Sequence, residues 1–326
     1  MTSQNFNGES LPKYQNHVQV LKATGKISAL AVTAGQPSME DQMEMMFDPG
    51  KAQEFITEQK TVINNMITGL ETIKKGVKNS DALSEDVRDA FTTQILAQQG
   101  TLSSKLPMMD FALAQISGDD SLDETKIMQT MVGQQMAGQN LVEKQKELFA
   151  TLYGFKPGQT IADINTGNDM TIEDFERYNA MIGYSANTDE LLQEVMPAVQ
   201  TGDFSAIGEV VDLLDGMAAK MNAVKTAVST STSMTEEQKE VCLKTTEITQ
   251  NLYKLMGKGL SGMAEDNPEA VMEMGMALPQ HIQNALPVQE KYFNVLDKHY
   301  QSKTAPTNDN TLGTQNRKKP GGPNNG

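Results

Sequence analysis

The chain has 326 residues, and its 27 Lys and Arg against 42 Asp and Glu leave a net charge of −15. A surface this negative repels phosphate, which argues against nucleic acid and anionic membranes as partners. A single cysteine, Cys242, excludes an intrachain disulfide, and no apolar run reaches the roughly 18 residues a membrane-spanning helix needs.

Composition points to helix. Tryptophan is absent, aromatics make up 5% of residues, and Met occurs 22 times. Few segments alternate the aromatic and β-branched residues that strands favour, whereas the helix formers Ala, Met, Gln, Glu, Lys and Leu dominate. The fold class predicted is all-α: antiparallel helical hairpins forming one elongated or two consecutive bundles, with a disordered C-terminal tail. The expected regions are a flexible 1–12, an N-terminal helical region 13–154, a linker 155–171, a C-terminal bundle 172–302 and a basic tail 303–326.

Residues 1–12 are polar, and no basic segment followed by an apolar one marks a secretory signal, so a cytoplasmic location is expected. A first helix is predicted over 14–34, ending at Gly35, and a short one over 39–47, stopped by Asp48-Pro49-Gly50. Over 51–77, Ile56, Ile63, Leu70 and Val77 recur every seven residues, with Met66 and Ile73 three places after the second and third. That spacing lays one apolar seam along a helix. Further helices are expected over 84–99 and from Pro107 to Gly118. Ser121 and Glu124 have capping-box spacing at the head of a helix reaching Tyr153. Its seam of Ile127, Met131, Leu141, Leu148 and Leu152 is interrupted by Gln134, Gly138 and Gln145.

After the break at Pro157-Gly158, a helix is predicted over 172–184 and another after Asn187 or Thr188, with Pro197 in or near it. Over 205–228, Ile207, Leu214, Met221 and Val228 share one heptad position, and Val210, Met217 and Val224 the position three later. Seven apolar residues in seven seam positions require a helix–helix contact. The short link 229–234 and a Thr235–Gln238 cap then predict a helix to Gly257, paired with its predecessor as an antiparallel hairpin. Asn267-Pro268 opens a helix punctuated by Pro279 and Pro287, and the last helix ends near Tyr300.

The stretch from Asp163 places oxygens at Asp163, Asn165, Asp169, Thr171 and Asp174, which are positions 1, 3, 7, 9 and 12 of a calcium loop. It resembles an EF-hand loop with its exit helix, and the resemblance implies Ca²⁺ as the bound ion. Gly167 leaves position 5 without a side-chain oxygen, Asp174 is shorter than the usual Glu, and Pro157-Gly158 interrupts the entering helix. The competing reading is a helix start, with Thr171 as N-cap, Asp174 as its N3 partner and Glu173 at the positive end of the dipole. It uses every polar residue from 171 to 174 without a metal and is the one adopted. The five-residue Ca²⁺ site stands as the alternative.

No phosphate loop, dinucleotide fingerprint or nucleophile elbow occurs, and His17, His281 and His299 lack zinc spacing, so they read as surface or boundary residues. Cys242 beside a seam position reads as a buried, inert thiol. The clustered methionines read as core filling, with a partner-binding surface as the alternative. Arg317-Lys318-Lys319 in an Asn-, Gly- and Pro-rich tail reads as solubilising. It also resembles the basic, disordered C-termini of some bacterial type IV secretion substrates, which implies export without an N-terminal signal peptide. The function expected is non-enzymatic: helical surface presented to a protein partner or to a second copy.

Overall fold

The computed structural model describes residues 11–33, 44–45, 47–118, 124–159, 169–184 and 207–304, and among them every regular element is a helix. In chain order these are α1 (His17–Thr33), α2 (Pro49–Lys78), α3 (Glu85–Ser103), α4 (Leu106–Ile116), α5 (Glu124–Tyr153), α6 (Ile172–Tyr184), α7 (Ile207–Thr230), α8 (Glu236–Ala264) and α9 (Pro268–Thr304). The all-helical class expected from composition is therefore correct. Nearly all of the expected 39–47 helix, the Ser121 cap, the helix containing Pro197 and residues 305–326 lie outside the described residues.

Local chemistry fixes the helix starts. Asp48 accepts hydrogen bonds from the backbone N–H groups of Gly50 and Lys51 at 2.9 and 3.3 Å, and Pro49 takes the position where an N–H has no helical partner. Thr235 and Gln238 form the reciprocal capping box at the head of α8. Two expected stops are absent. Helix α8 continues through Gly257, which is buried where its Cβ position lies 3.9 Å from Leu214 Cβ. Helix α9 continues through Pro279 and Pro287. Each proline removes one backbone rung, and packing along the helix keeps the remaining turns in place.

Two large buried clusters organise these helices. The first sets the α2 seam (Ile63, Met66, Leu70, Ile73, Val77) against Phe91 and Ile95 of α3, with Val20 and Ile27 of α1 and Leu148 of α5. The second surrounds Phe175, Tyr178 and Met181 of α6 with side chains of α7, α8 and α9. Helix α1 serves both, since Val20 enters the first and Val18 the second. Polar bonds tie α1 to α9: Asn16 Nδ2 and Gln19 Nε2 each donate to Asp297 Oδ1 at 2.9 Å, and Lys26 pairs with Glu290 at 3.0 Å.

All seven predicted seam positions of α7 are buried. Leu260, late in α8, packs with Ile207 and Leu214, early in α7, whereas Val241 at the α8 start joins the cluster of Val224 and Val228. The hairpin is therefore antiparallel. Cys242 is buried in the same cluster, and burial pushes its thiol up to about 12. Among the described residues no helix is long and apolar enough to cross a membrane.

Candidate functional site

The residues considered for an ion separate into three groups. Asp163 and Asn165 lie outside the described residues. Asp169 faces the α7–α8 turn: Oδ1 accepts from the backbone N–H of Thr232 at 2.7 Å and of Ser233 at 3.2 Å, and Oδ2 from their hydroxyls at 2.8 and 2.6 Å. Hydrogen bonds from the Ser233 and Thr232 side chains hold its carboxyl well below the usual carboxylate range. Thr171 and Asp174 bond each other. The Thr171 hydroxyl receives the Asp174 N–H at 3.1 Å, and Asp174 Oδ2 receives the Thr171 N–H at 3.0 Å. That exchange is a capping box with Asp in the Glu position. Among the described residues no three His, Cys, Asp or Glu side chains cluster as metal ligands would.

Helix α6 carries a hub that sequence reasoning missed. Glu176, with a side chain only 4% exposed, accepts from His17 Nε2 of α1 at 2.8 Å, from the Tyr153 hydroxyl of α5 at 2.8 Å and from the Tyr300 hydroxyl of α9 at 2.7 Å. The His17 ring stands edge-on to Tyr300, with centroids 4.8 Å apart. Burial first, and then the neighbouring Glu176, raise both phenols far above their ordinary values, so each stays a donor. One carboxylate thereby ties four helices together. His17, read from its spacing as a surface or boundary residue, is the half-buried first residue of α1.

One turn earlier, Glu173 faces α9, where His299 Nε2 lies 2.7 Å away and Lys303 also pairs with it. Burial alone would raise this carboxyl, but Lys303 and His299 outweigh it and lower it from 4.5 to about 2. A group depressed on folding adds stability above its unfolded value and loses it as pH falls through its folded value. Glu173→Gln is thus expected to be less stable than the parent at pH 7, with the difference shrinking between pH 4.5 and about 2. Urea titrations across that range measure it, and a constant difference refutes the pairing.

Helix α5 exposes apolar side chains. Met128, Met131, Val132 and Met136 are 68, 56, 53 and 64% exposed. Their i, i+3, i+4, i+8 spacing puts them in one stripe. No charged residue occurs from Ile127 to Val142. The opposite side of α5 is held by polar contacts: Gln134 Nε2 donates to the Ser104 carbonyl and the Thr101 hydroxyl to the Ala137 carbonyl, both at 3.0 Å. The expected seam through Met131 is consequently buried only in its second half, around Leu148. Gly133 and Gly138 face open space, where an added Cβ would meet nothing. The methionines divide: Met66, Met181, Met217 and Met221 fill the interior, whereas those of the α5 stripe, with Met272 and Met276 of α9, face outward.

The chain matches no protein-family model, no curated protein and no solved structure.

Proposed function

We propose that the protein is a non-enzymatic helical interaction protein that pairs with a second copy of itself through the apolar stripe of α5. The observation that carries this is the exposure of Met128, Met131, Val132 and Met136 on a helix segment free of charge in a chain of net charge −15. Two such chains repel over most of their surfaces. The uncharged segment, roughly 24 Å long at 1.5 Å per residue, is a place where they can approach without that penalty. A charged partner finds no complement on this face, whereas a copy related by a two-fold axis presents the same neutral methionines. Methionine suits such a face, because its unbranched thioether adapts to an opposing helix.

Size-exclusion chromatography with light scattering over a concentration series tests the proposal. The parent is expected to dimerise. Met131→Glu combined with Met136→Glu is expected to weaken the dimer more than about tenfold, since it sets four carboxylates in the contact. Circular dichroism of the exposed double variant should be unchanged. A parent that stays monomeric throughout, or a dimer indifferent to both substitutions, overturns the reading.

A further inference from the structure

We infer that the junction of α1, α3, α5, α6 and α9 forms a partly open binding site for a small, uncharged, largely apolar molecule that carries an N–H or O–H donor. A hollow of about 470 Å³ lies there, and more of its lining surface is apolar than polar, although Leu, Ile, Phe and Ala alternate with Gln, Asn, Ser, Thr and Tyr along it. Protein interiors rarely leave voids much larger than a water molecule, and small-molecule sites occupy roughly 300–1,000 Å³. Two further hollows, of about 380 and 260 Å³, adjoin it. All three share Leu286, Gln289 and Phe293, so they surround one segment of α9.

The polar groups of the lining give the ligand its character. Gln94 and Gln98 of α3 and Tyr292 of α9 all line the hollow, and each has a polar atom, Oε1 of the two amides and the phenol hydroxyl, shut off from solvent with no hydrogen-bond partner. The Gln98 amide nitrogen is already committed to Ser28 Oγ at 2.7 Å, which leaves its oxygen as an acceptor. Buried groups without partners are uncommon, because each forfeits its hydration. Two amide acceptors on one wall and a phenol on another, covered in the empty hollow, gain a partner when their side chains turn toward a ligand that brings a donor.

Charge narrows the class further. Glu176 is the one ionisable acid or base other than tyrosine lining the hollow of about 470 Å³, whereas Lys22, Lys26 and Glu290 line the adjoining one of about 380 Å³ and His281 that of about 260 Å³. Glu176 repels anions, and its three existing hydrogen bonds leave it poorly placed to pair with a cation. Gly25 lines the hollow from α1, where a Cβ would meet only Phe293 Cε2, at an ordinary 3.7 Å. Glycine inside a helix is unfavourable relative to alanine, and nothing in the packing demands it at this position. Its effect is to keep that wall open.

The probe for the test is N-phenylnaphthylamine, an uncharged pair of aromatic groups joined through one N–H, whose fluorescence rises in apolar surroundings. Its sulfonate, anilinonaphthalene sulfonate, adds a negative charge to the same rings. The full chain is expected to bind the neutral probe in a one-to-one complex and the sulfonate at least about tenfold more weakly. Gly25→Leu should keep or raise the melting temperature, because it adds helix propensity, and should weaken the neutral probe about tenfold by filling the wall. Tyr292→Phe keeps the ring and is expected to fold as well as the parent while binding about fivefold more weakly. No fluorescence rise with the parent, equal binding of the two probes, or undiminished binding by a folded Gly25→Leu protein overturns the site. Should Gly25→Leu fail to fold, Tyr292→Phe decides: undiminished binding overturns the proposed polar recognition.

Discussion

Glu176→Ala is expected to lower the free energy of unfolding by about 4 kcal/mol. The substitution takes the carboxylate away from three donors at once: the Tyr153 and Tyr300 hydroxyls and His17 Nε2. Each buried polar group left without a partner costs about 1–3 kcal/mol, and the three share one site, so their losses do not simply add. Glu176→Gln retains one acceptor oxygen but turns an amide N–H₂ toward donors, and roughly half the loss is expected from it. Tyr300→Phe takes the donor away with the bond but leaves the buried Glu176 Oε2 without that partner, and should lose about 2 kcal/mol. Urea unfolding followed by circular dichroism gives all three values. A loss below about 1 kcal/mol for Glu176→Ala would falsify the hub as a source of stability.

The hub is also where sequence reasoning had least to work with. Its acceptor is separated by 159 residues from His17, by 124 from Tyr300 and by 23 from Tyr153. Hydrogen bonds formed only when helices meet leave no local period, so no spacing rule finds them. One signal was available: Glu176 lies four residues after Ile172 and four before Ala180, so it shares an apolar side of a short amphipathic helix. A carboxylate in that position calls for a buried partner. Local patterns behaved differently. The α7 seam was legible because seven apolar residues obey a single period, and each of them is buried. The Thr235–Gln238 cap was legible because its two hydrogen bonds span only three residues. Of the outward stripe of α5 only Met131 entered the sequence reading, as part of an interrupted seam that suits a half-exposed helix. Periodicity does not say which of two helix faces finds a neighbour, and Gln134 and Thr101 decide that through contacts made only in the folded chain.

The glycines of α8 show how closely the chain packs where periodicity is weak. A Cβ on Gly262 would fall 2.6 Å from Ala270 Cβ, and one on Gly76 of α2 would fall 2.7 Å from the Pro12 carbonyl oxygen. Neither neighbour is a flexible side-chain end, so backbone would have to move. These positions fix the α8–α9 corner and the seat of the N-terminal segment against α2. The contrast with Gly25, Gly133 and Gly138, whose added Cβ atoms would meet ordinary contact or nothing, separates glycines that permit close approach from those the helices do not require.

Leu214→Ala is expected to cost about 3 kcal/mol, the lower part of the range for buried leucines. Leu214 is fully buried with Ile207, Val210 and Leu260, in the small cluster that closes the α7–α8 hairpin at its far end from the connecting turn. Removing its outer carbons leaves a hole that two long, straight helices cannot easily collapse into, so both the transfer and the cavity contributions are lost. The opposing Gly257 allows an internal check. Its Cβ position lies 3.9 Å from Leu214 Cβ and 3.7 Å from Asp215 Oδ1, ordinary contacts both. Gly257→Ala alone is therefore expected to stabilise by about 1 kcal/mol through helix propensity. In the Leu214→Ala background it should recover more than that, because the added methyl also enters the vacated space. A double-mutant cycle on urea midpoints measures the excess, expected at about 0.5 kcal/mol. Strict additivity would mean that the two helices do not meet at this pair, and the seam that places Leu214 against α8 would then be wrong in register even though its period is right.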